Sequence, residues 1–154
     1  AFQSDAPGVS HDGALLGFTL VPAEQTGHGR AIRVNRKDVN EIQLAKAAIR
    51  TGVEILLAEA GATHDDIEEF IVAGAFGTYL DINSAIRIGM FPNIPPERFT
   101  QIGNAAGSGA RMMIVSDEIR KKGTEFARKV NYVELTLYPD FQNIYVQSLR
   151  FPGA

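Results

Sequence analysis

The chain has 154 residues, a net charge of −3 and 45% hydrophobic against 21% charged residues, enough for one soluble-type domain with a real core. It has no cysteine, which excludes disulfides, thiolate nucleophiles and cysteine-held iron–sulfur clusters from these residues. No stretch approaches the roughly 18 apolar residues of a membrane span, and Arg120-Lys121-Lys122, the one dense basic cluster, reads as a solvated helix face.

These features predict no membrane partner and no nucleic acid. The start, Ala1-Phe2-Gln3-Ser4-Asp5, has neither a basic segment followed by an apolar one nor an initiator Met. The missing Met suggests a processed chain or a piece of a longer one, and the absence of cysteine fits a cytoplasmic protein.

Residues 1 to 14 are rich in Gly, Ser, Asp and Pro and read as a loose lead-in. Phe18 to Val21 and Ala31 to Val34 follow as two short strands, with a glycine-containing hairpin loop between them. A long helix then starts at an Asn35 cap, with apolar or small positions at Val39, Ile42, Ala45, Ile49, Val53, Leu56 and Ala60, and ends at Gly61. Gln43, Lys46 and Arg50 share another side of it, and their plainest role is a solvated face.

Phe70-Ile71-Val72-Ala73 is apolar without alternation, as in a strand covered on both sides. Asp81 caps a short helix, and Pro92, Pro95 and Pro96 stiffen the loop before a second such strand at Phe99 to Ile102. A helix is expected from about Ala105, continuing past Ser116 to Lys122, with Gly103, Ala106, Gly107 and Ala110 as one smooth stripe. Tyr132 to Leu137 alternates like a strand, and Pro139 fits the first turn of a final helix. Strands and helices alternate through the second half, so the class is α/β.

Two consecutive strands end in small residues, Gly74-Ala75-Phe76-Gly77 and Gly103 to Ala110. In open α/β sheets ligands lie beyond the carboxyl ends of strands, where bare backbone lets a flat molecule approach. Neither segment is G-x-G-x-x-G, and there is no Gly-Lys-Ser/Thr, so the Rossmann and P-loop fingerprints are absent. Gly103-x-x-x-Gly107 is equally compatible with close helix packing. Ser108 is not in a nucleophile elbow. His11, His28 and His64 have no metal spacing, and the acidic residues around His64 read as a solvated turn. No metal site and no catalytic residue are expected.

Four blocks carry a resemblance: NRKDVNEIQLAKAAIRTGVEILLAEAG, IVAGAFGTYLDINSAIRIGMFP, ERFTQIGNAAGSGARMMIVS and VELTLYPDFQNIYVQSLRFP. From about Val34 to Pro152 they resemble, in order, the C-terminal region of reductive activators of corrinoid proteins, in the actin, sugar kinase and heat-shock chaperone ATPase superfamily. The resemblance implies an α/β fold, one actin-like (ribonuclease H-like) ATPase lobe with a mixed sheet and flanking helices, as a single domain over 1–154. It implies that Gly74, Ala75, Phe76 and Gly77 form the adenosine turn, with Gly103, Asn104 and Gly107, in the second small-residue segment at the lobe interface, as further nucleotide-binding residues. Likeness to the chaperone members turns Gln43 and Lys46 toward the ribose.

Such activators use ATP with Mg to drive one-electron reduction of cob(II)alamin to cob(I)alamin on a partner corrinoid protein. The electron comes from a two-iron ferredoxin domain. An Asp-x-Gly-Thr phosphate loop and the ferredoxin cysteines do not occur in these residues, so only part of the ATP site is expected here. The remaining lobe and the ferredoxin domain of a parent chain, and a homodimer, are the further partners it implies. A non-catalytic actin-like interaction module and a small α/β enzyme using an adenosine-containing cofactor stand as alternatives.

Overall fold

A computed structural model describes residues 7–12 and 15–153. The predicted lead-in therefore lies mostly outside the described residues, but Val9–Asp12 within it form a strand, β1, where a loose segment was expected. Strands β2 (Leu15–Val21) and β3 (Ile32–Asn35) follow, and the three make an antiparallel sheet in the order β1-β2-β3. Gly17 permits the close approach of β2 to β3, since a Cβ there would sit 3.1 Å from the Val34 carbonyl oxygen. Arg33 Nη2 donates to both the carbonyl and the hydroxyl of Ser10, each at 2.7 Å, tying β3 to β1 across the central strand.

Helix α1 runs from Arg36–Ala60. The Asn35 side chain accepts from the Lys37 and Asp38 amides, and Asp38 reaches back to the Asn35 amide, so three amide donors at the helix start are satisfied. At the other end Gly61 takes φ 62, and the Ala62 amide bonds the Leu57 carbonyl, a Schellman closure.

The buried side of α1 is not the one its apolar spacing suggests. Ile42, Ile49 and Leu56 are exposed, whereas Lys46 (1% exposed), Ala47, Thr51 and Ile55 are buried. The solvated face expected for Gln43, Lys46 and Arg50 is thereby corrected: Lys46 is buried and the other two are half-buried. Apolar periodicity marks a side that can be covered; here the adjoining, more polar side is the one buried.

The chain divides into two compact units, one up to Lys46 and one from Ala47 onward. In the second, β4 (Phe70–Ala73) pairs in parallel with β5 (Phe99–Gly103), so antiparallel and parallel pairings both occur, each in its own sheet. Between them lies the short helix α2 (Ile82–Arg87), capped by Asp81 as its spacing predicts, with the Ser84 amide 2.7 Å from Oδ1. Val72, Ala85 and Phe91 form the core of this unit, and Phe70, Phe91 and Phe99 meet ring to ring at 5.0 to 5.6 Å between centroids. Only one side of the β4–β5 pair is filled in this way; Ile71 and Ile102 remain exposed, unlike the two-sided cover predicted.

The long helix expected from Ala105 is two helices. Helix α3 (Ala105–Val115) stops at Ser116, whose extended backbone (φ −144, ψ 116) and hydroxyl, accepting from the Ile119 amide, cap α4 (Asp117–Ala127). The alternation at Tyr132 to Leu137 gives no strand: Leu135–Leu137 is a single 3₁₀ turn before α5 (Phe141–Ser148).

Removing a core ring should be costly and trimming the open strand face should not. Phe91→Ala should lower stability by about 3–5 kcal/mol and Ile71→Ala by less than about 1 kcal/mol in chemical denaturation.

Candidate functional site

The parallel register is Phe70 with Phe99, Ile71 with Thr100 and Val72 with Gln101, and it then slips by one residue so that Ala73 faces Gly103. The slip brings the two glycine ends to the same level. Gly74 takes φ 100 and Gly103 φ 62, both in the left-handed region that an L side chain rarely enters, and the Gly74 amide donates to the Gly103 carbonyl at 2.6 Å. A Cβ built on Gly74 meets nothing within 4 Å, so the main chain there faces open space. On Gly103 it would meet only Thr78 Oγ1, at 3.7 Å.

Gly77 serves differently. It is buried, and a Cβ there would lie 2.8 Å from Val72 Cγ1, so its bare backbone lets the 3₁₀ turn Phe76–Tyr79 fold down onto β4. Gln101 then fastens that turn, its amide nitrogen donating to the carbonyls of Gly77 and Leu80. Ala75 is exposed at the start of the turn; of the Phe76 side chain nothing is described.

Asn104 is the N-cap of α3, with Oδ1 accepting from the Gly107 amide at 3.0 Å. A Cβ on Gly107 would come within 2.6 Å of Asn104 Nδ2, so Gly107 makes room for the cap. Gly103 is the last residue of β5 and not part of the helix, which corrects the predicted stripe to Ala106, Gly107 and Ala110. The structure thus groups Gly74, Ala75, Gly77, Gly103, Asn104 and Gly107 at one pair of strand ends. Gln43 and Lys46 lie on the part of α1 that belongs to the first unit.

A polar cluster that the sequence reading did not assemble lies elsewhere on the second unit. Glu54 Oε1 accepts from Arg50 Nε and lies 2.9 Å from His64 Nε2, while Arg50 Nη1 donates to the Phe91 carbonyl at 2.9 Å. The Arg50 to Glu54 spacing was a usable signal; the arrival of His64 needed the turn after Gly61. The cluster ties α1 to the loop that carries the core ring of Phe91. Among the described residues no group of three His, Asp or Glu side chains could hold a metal ion.

The displaced carboxyls are caps and turn anchors. Asp66 is held below the usual carboxylate range first by its bond from the Thr63 side chain and then by the Thr63 amide. Asp81 is lowered by its bonds from Ser84. Glu134 is lowered by the hydroxyls of Tyr132 and Thr136, which in turn raises Tyr132. At the glycines the site offers flat, uncharged main chain.

The architecture is α/β, and its actin-like class comes from the family match. The family matched over residues 2–154 is the C-terminal domain of RACo, the ASKHA domain, and the chain belongs to that family. It is 37% identical over 134 residues to the corrinoid activation enzyme RamQ of Eubacterium limosum, covering 87% of this chain and 23% of the relative. It is 28% identical over 141 residues to the [Co(II) methylated amine-specific corrinoid protein] reductase of Methanosarcina barkeri, covering 90% of this chain and 26% of that protein. Among solved structures it matches a reductive activator for corrinoid,iron-sulfur protein with a TM-score of 0.82 at 33% identity, over 94% of this chain and 23% of that one. The chain therefore spans about a quarter of the length of the relatives it matches.

Two predictions follow from the glycine geometry and the caps. Gly77→Ala should destabilise by about 1–3 kcal/mol through overlap with Val72, whereas Gly109→Ala, mid-helix with nothing within 4 Å of its Cβ, should stabilise by about 0.5–1 kcal/mol in the same denaturation assay. Because Asp66, Asp81 and Glu134 all have lowered folded-state pKa values, their contribution is full above the ordinary carboxylate range and disappears as pH falls through the folded values. The melting temperature should be flat from neutral pH to about 5 and drop below about 4; a rise there would contradict this.

Proposed function

We propose that this chain is the adenosine-binding lobe of an ATP-dependent reductive activator, one that restores cob(II)alamin to cob(I)alamin on a partner corrinoid protein. The relatives are named as corrinoid activators or reductases, and the likeness carries that general role to this chain. The observation that supports the nucleotide part most directly is the pair of left-handed glycines at adjoining strand ends, with open space over Gly74. A side chain there would fill the space a flat ring system needs.

ATP fits these residues in part. Gly74 and Ala75 would pass along the adenosine, and Gly103 and the Asn104 turn would bound its other side. The nucleotide, when bound, supplies the free energy for an uphill one-electron transfer to cobalt. The phosphate loop, the Mg ligands and the two-iron ferredoxin domain that donates the electron belong to the parent protein outside these residues. This lobe holds and orients the nucleoside, and the parent completes the chemistry. The location would be cytoplasmic.

The test separates the site from the strain. Gly74→Ala and Gly61→Ala both force a side chain onto a left-handed backbone, at φ 100 and φ 62, and each should cost about 1–3 kcal/mol of stability. In the parent protein only Gly74→Ala should weaken ATP binding, by about tenfold or more at temperatures where both variants are folded. Equal affinities in the two variants would return the Gly74 turn to a purely structural role. The 154-residue chain alone should show no ATP turnover; turnover abolished by substitutions within it would contradict the division of labour.

A further inference from the structure

One side chain stands between the two glycine ends. Thr78 Oγ1 lies 3.5 Å from the Gly74 carbonyl oxygen, and a Cβ built on Gly103 would meet it at 3.7 Å. A 3₁₀ turn alone would hold such a side chain loosely, but Gln101 fixes this one. Its amide nitrogen donates to the carbonyls of Gly77 and Leu80, one residue before Thr78 and two after, while Gly77 packs on Val72. The hydroxyl is therefore kept at the level of the paired glycines, next to the open space over Gly74.

The bond that Thr78 makes there is weak. O–H···O bonds close at about 2.7–2.8 Å, so a contact of 3.5 Å holds its proton loosely, and Thr78 is exposed. A threonine hydroxyl rotates and can give that proton to a better acceptor, whereas a carbonyl oxygen can only accept. Side by side, the two atoms offer a fixed acceptor and an available donor, close enough for one edge of a flat ring to meet both.

The two purines answer such a pair differently. Adenine carries an amino donor with an acceptor nitrogen beside it, and guanine carries an oxygen acceptor where adenine has the amino group. The adenine amino group would donate to the Gly74 carbonyl while the Thr78 hydroxyl donates to the ring nitrogen, the match that an Asn or Gln side chain makes with this base. Guanine would set its oxygen against the carbonyl oxygen.

We propose that the Gly74 carbonyl and the Thr78 hydroxyl read the amino edge of adenine, which makes Thr78 a specificity-determining residue of this lobe. The proposal rests on the adenosine reading above and adds which atoms choose the base.

Nucleotide titrations of the parent protein test it, with Gly74→Ala beside the Thr78 variants. Thr78→Val keeps the side-chain shape and removes the donor; it should weaken ATP by about tenfold and GTP by less than about twofold, so that the preference for ATP shrinks. Thr78→Ser, which retains the hydroxyl, should recover most of the affinity. Of 1-deaza-ATP and 7-deaza-ATP, each lacking one ring nitrogen beside the amino group, one should bind the wild type about tenfold more weakly than ATP, yet bind Thr78→Val as well as ATP does. Unchanged ATP affinity in Thr78→Val, equal losses for ATP and GTP, no recovery in Thr78→Ser, or deaza losses of the same size in wild type and Thr78→Val would overturn the proposal. If Gly74→Ala weakens ATP while Thr78→Val does not, the base-reading role alone fails; if neither does, the adenosine reading fails with it.

Discussion

The second unit depends on how β4 and β5 are held. A two-strand parallel pair has few hydrogen bonds of its own, and what fixes its register is the contact among Phe70, Phe91 and Phe99 at the start of the strands. Phe70 and Phe99 are register partners, so their rings set the level from which both strands run. The chain then slips once near the far end and brings Gly74 and Gly103 together. Everything proposed for the site follows from that level: the bonded glycines, the turn folded onto Val72, and the Asn104 cap.

The same arrangement explains why the glycines are not interchangeable. Gly77 and Gly107 are small because a neighbour occupies the space a side chain would take, Val72 in one case and the Asn104 cap in the other. Gly74 is small because its backbone is left-handed, while the space above it is empty. Only the last kind of glycine leaves room for something that is not protein. That is why the nucleotide reading rests on Gly74, and why Gly77 and Gly107 stand as the framework around it. The Arg50, Glu54 and His64 group works at the opposite ends of the strands, where it steadies the loop of Phe91.

Much of this was legible in the residues. Local chemistry announced the caps: Asn35, Gly61 and Asp81 each behave as their positions predict, because a cap depends on neighbours within a few residues. The apolar runs marked β4 and β5, and the four family blocks pointed to the actin-like class that the fold and the relatives bear out. What could not be read depends on distant contacts or on single backbone choices. Ser116 looked like a mid-helix residue, yet its hydroxyl can cap a new helix as readily as it can ride within one, and here it does the former. Tyr132 to Leu137 alternates like a strand but finds no strand to pair with among the described residues. Gly103 closes a strand where helical spacing placed it on α3, and Lys46, counted as solvated by its charge, is buried.

The central claim is that an adenine nucleotide lies against the main chain at Gly74 and Gly103. Amide hydrogen exchange in the full-length parent, with and without ATP, measures that main chain directly. The account predicts that ATP slows exchange in the segments around 74–80 and 103–107 and leaves the turn at 61–66 unchanged. Protection confined to other segments, with 74–80 and 103–107 exchanging at the same rate in both states, would contradict it.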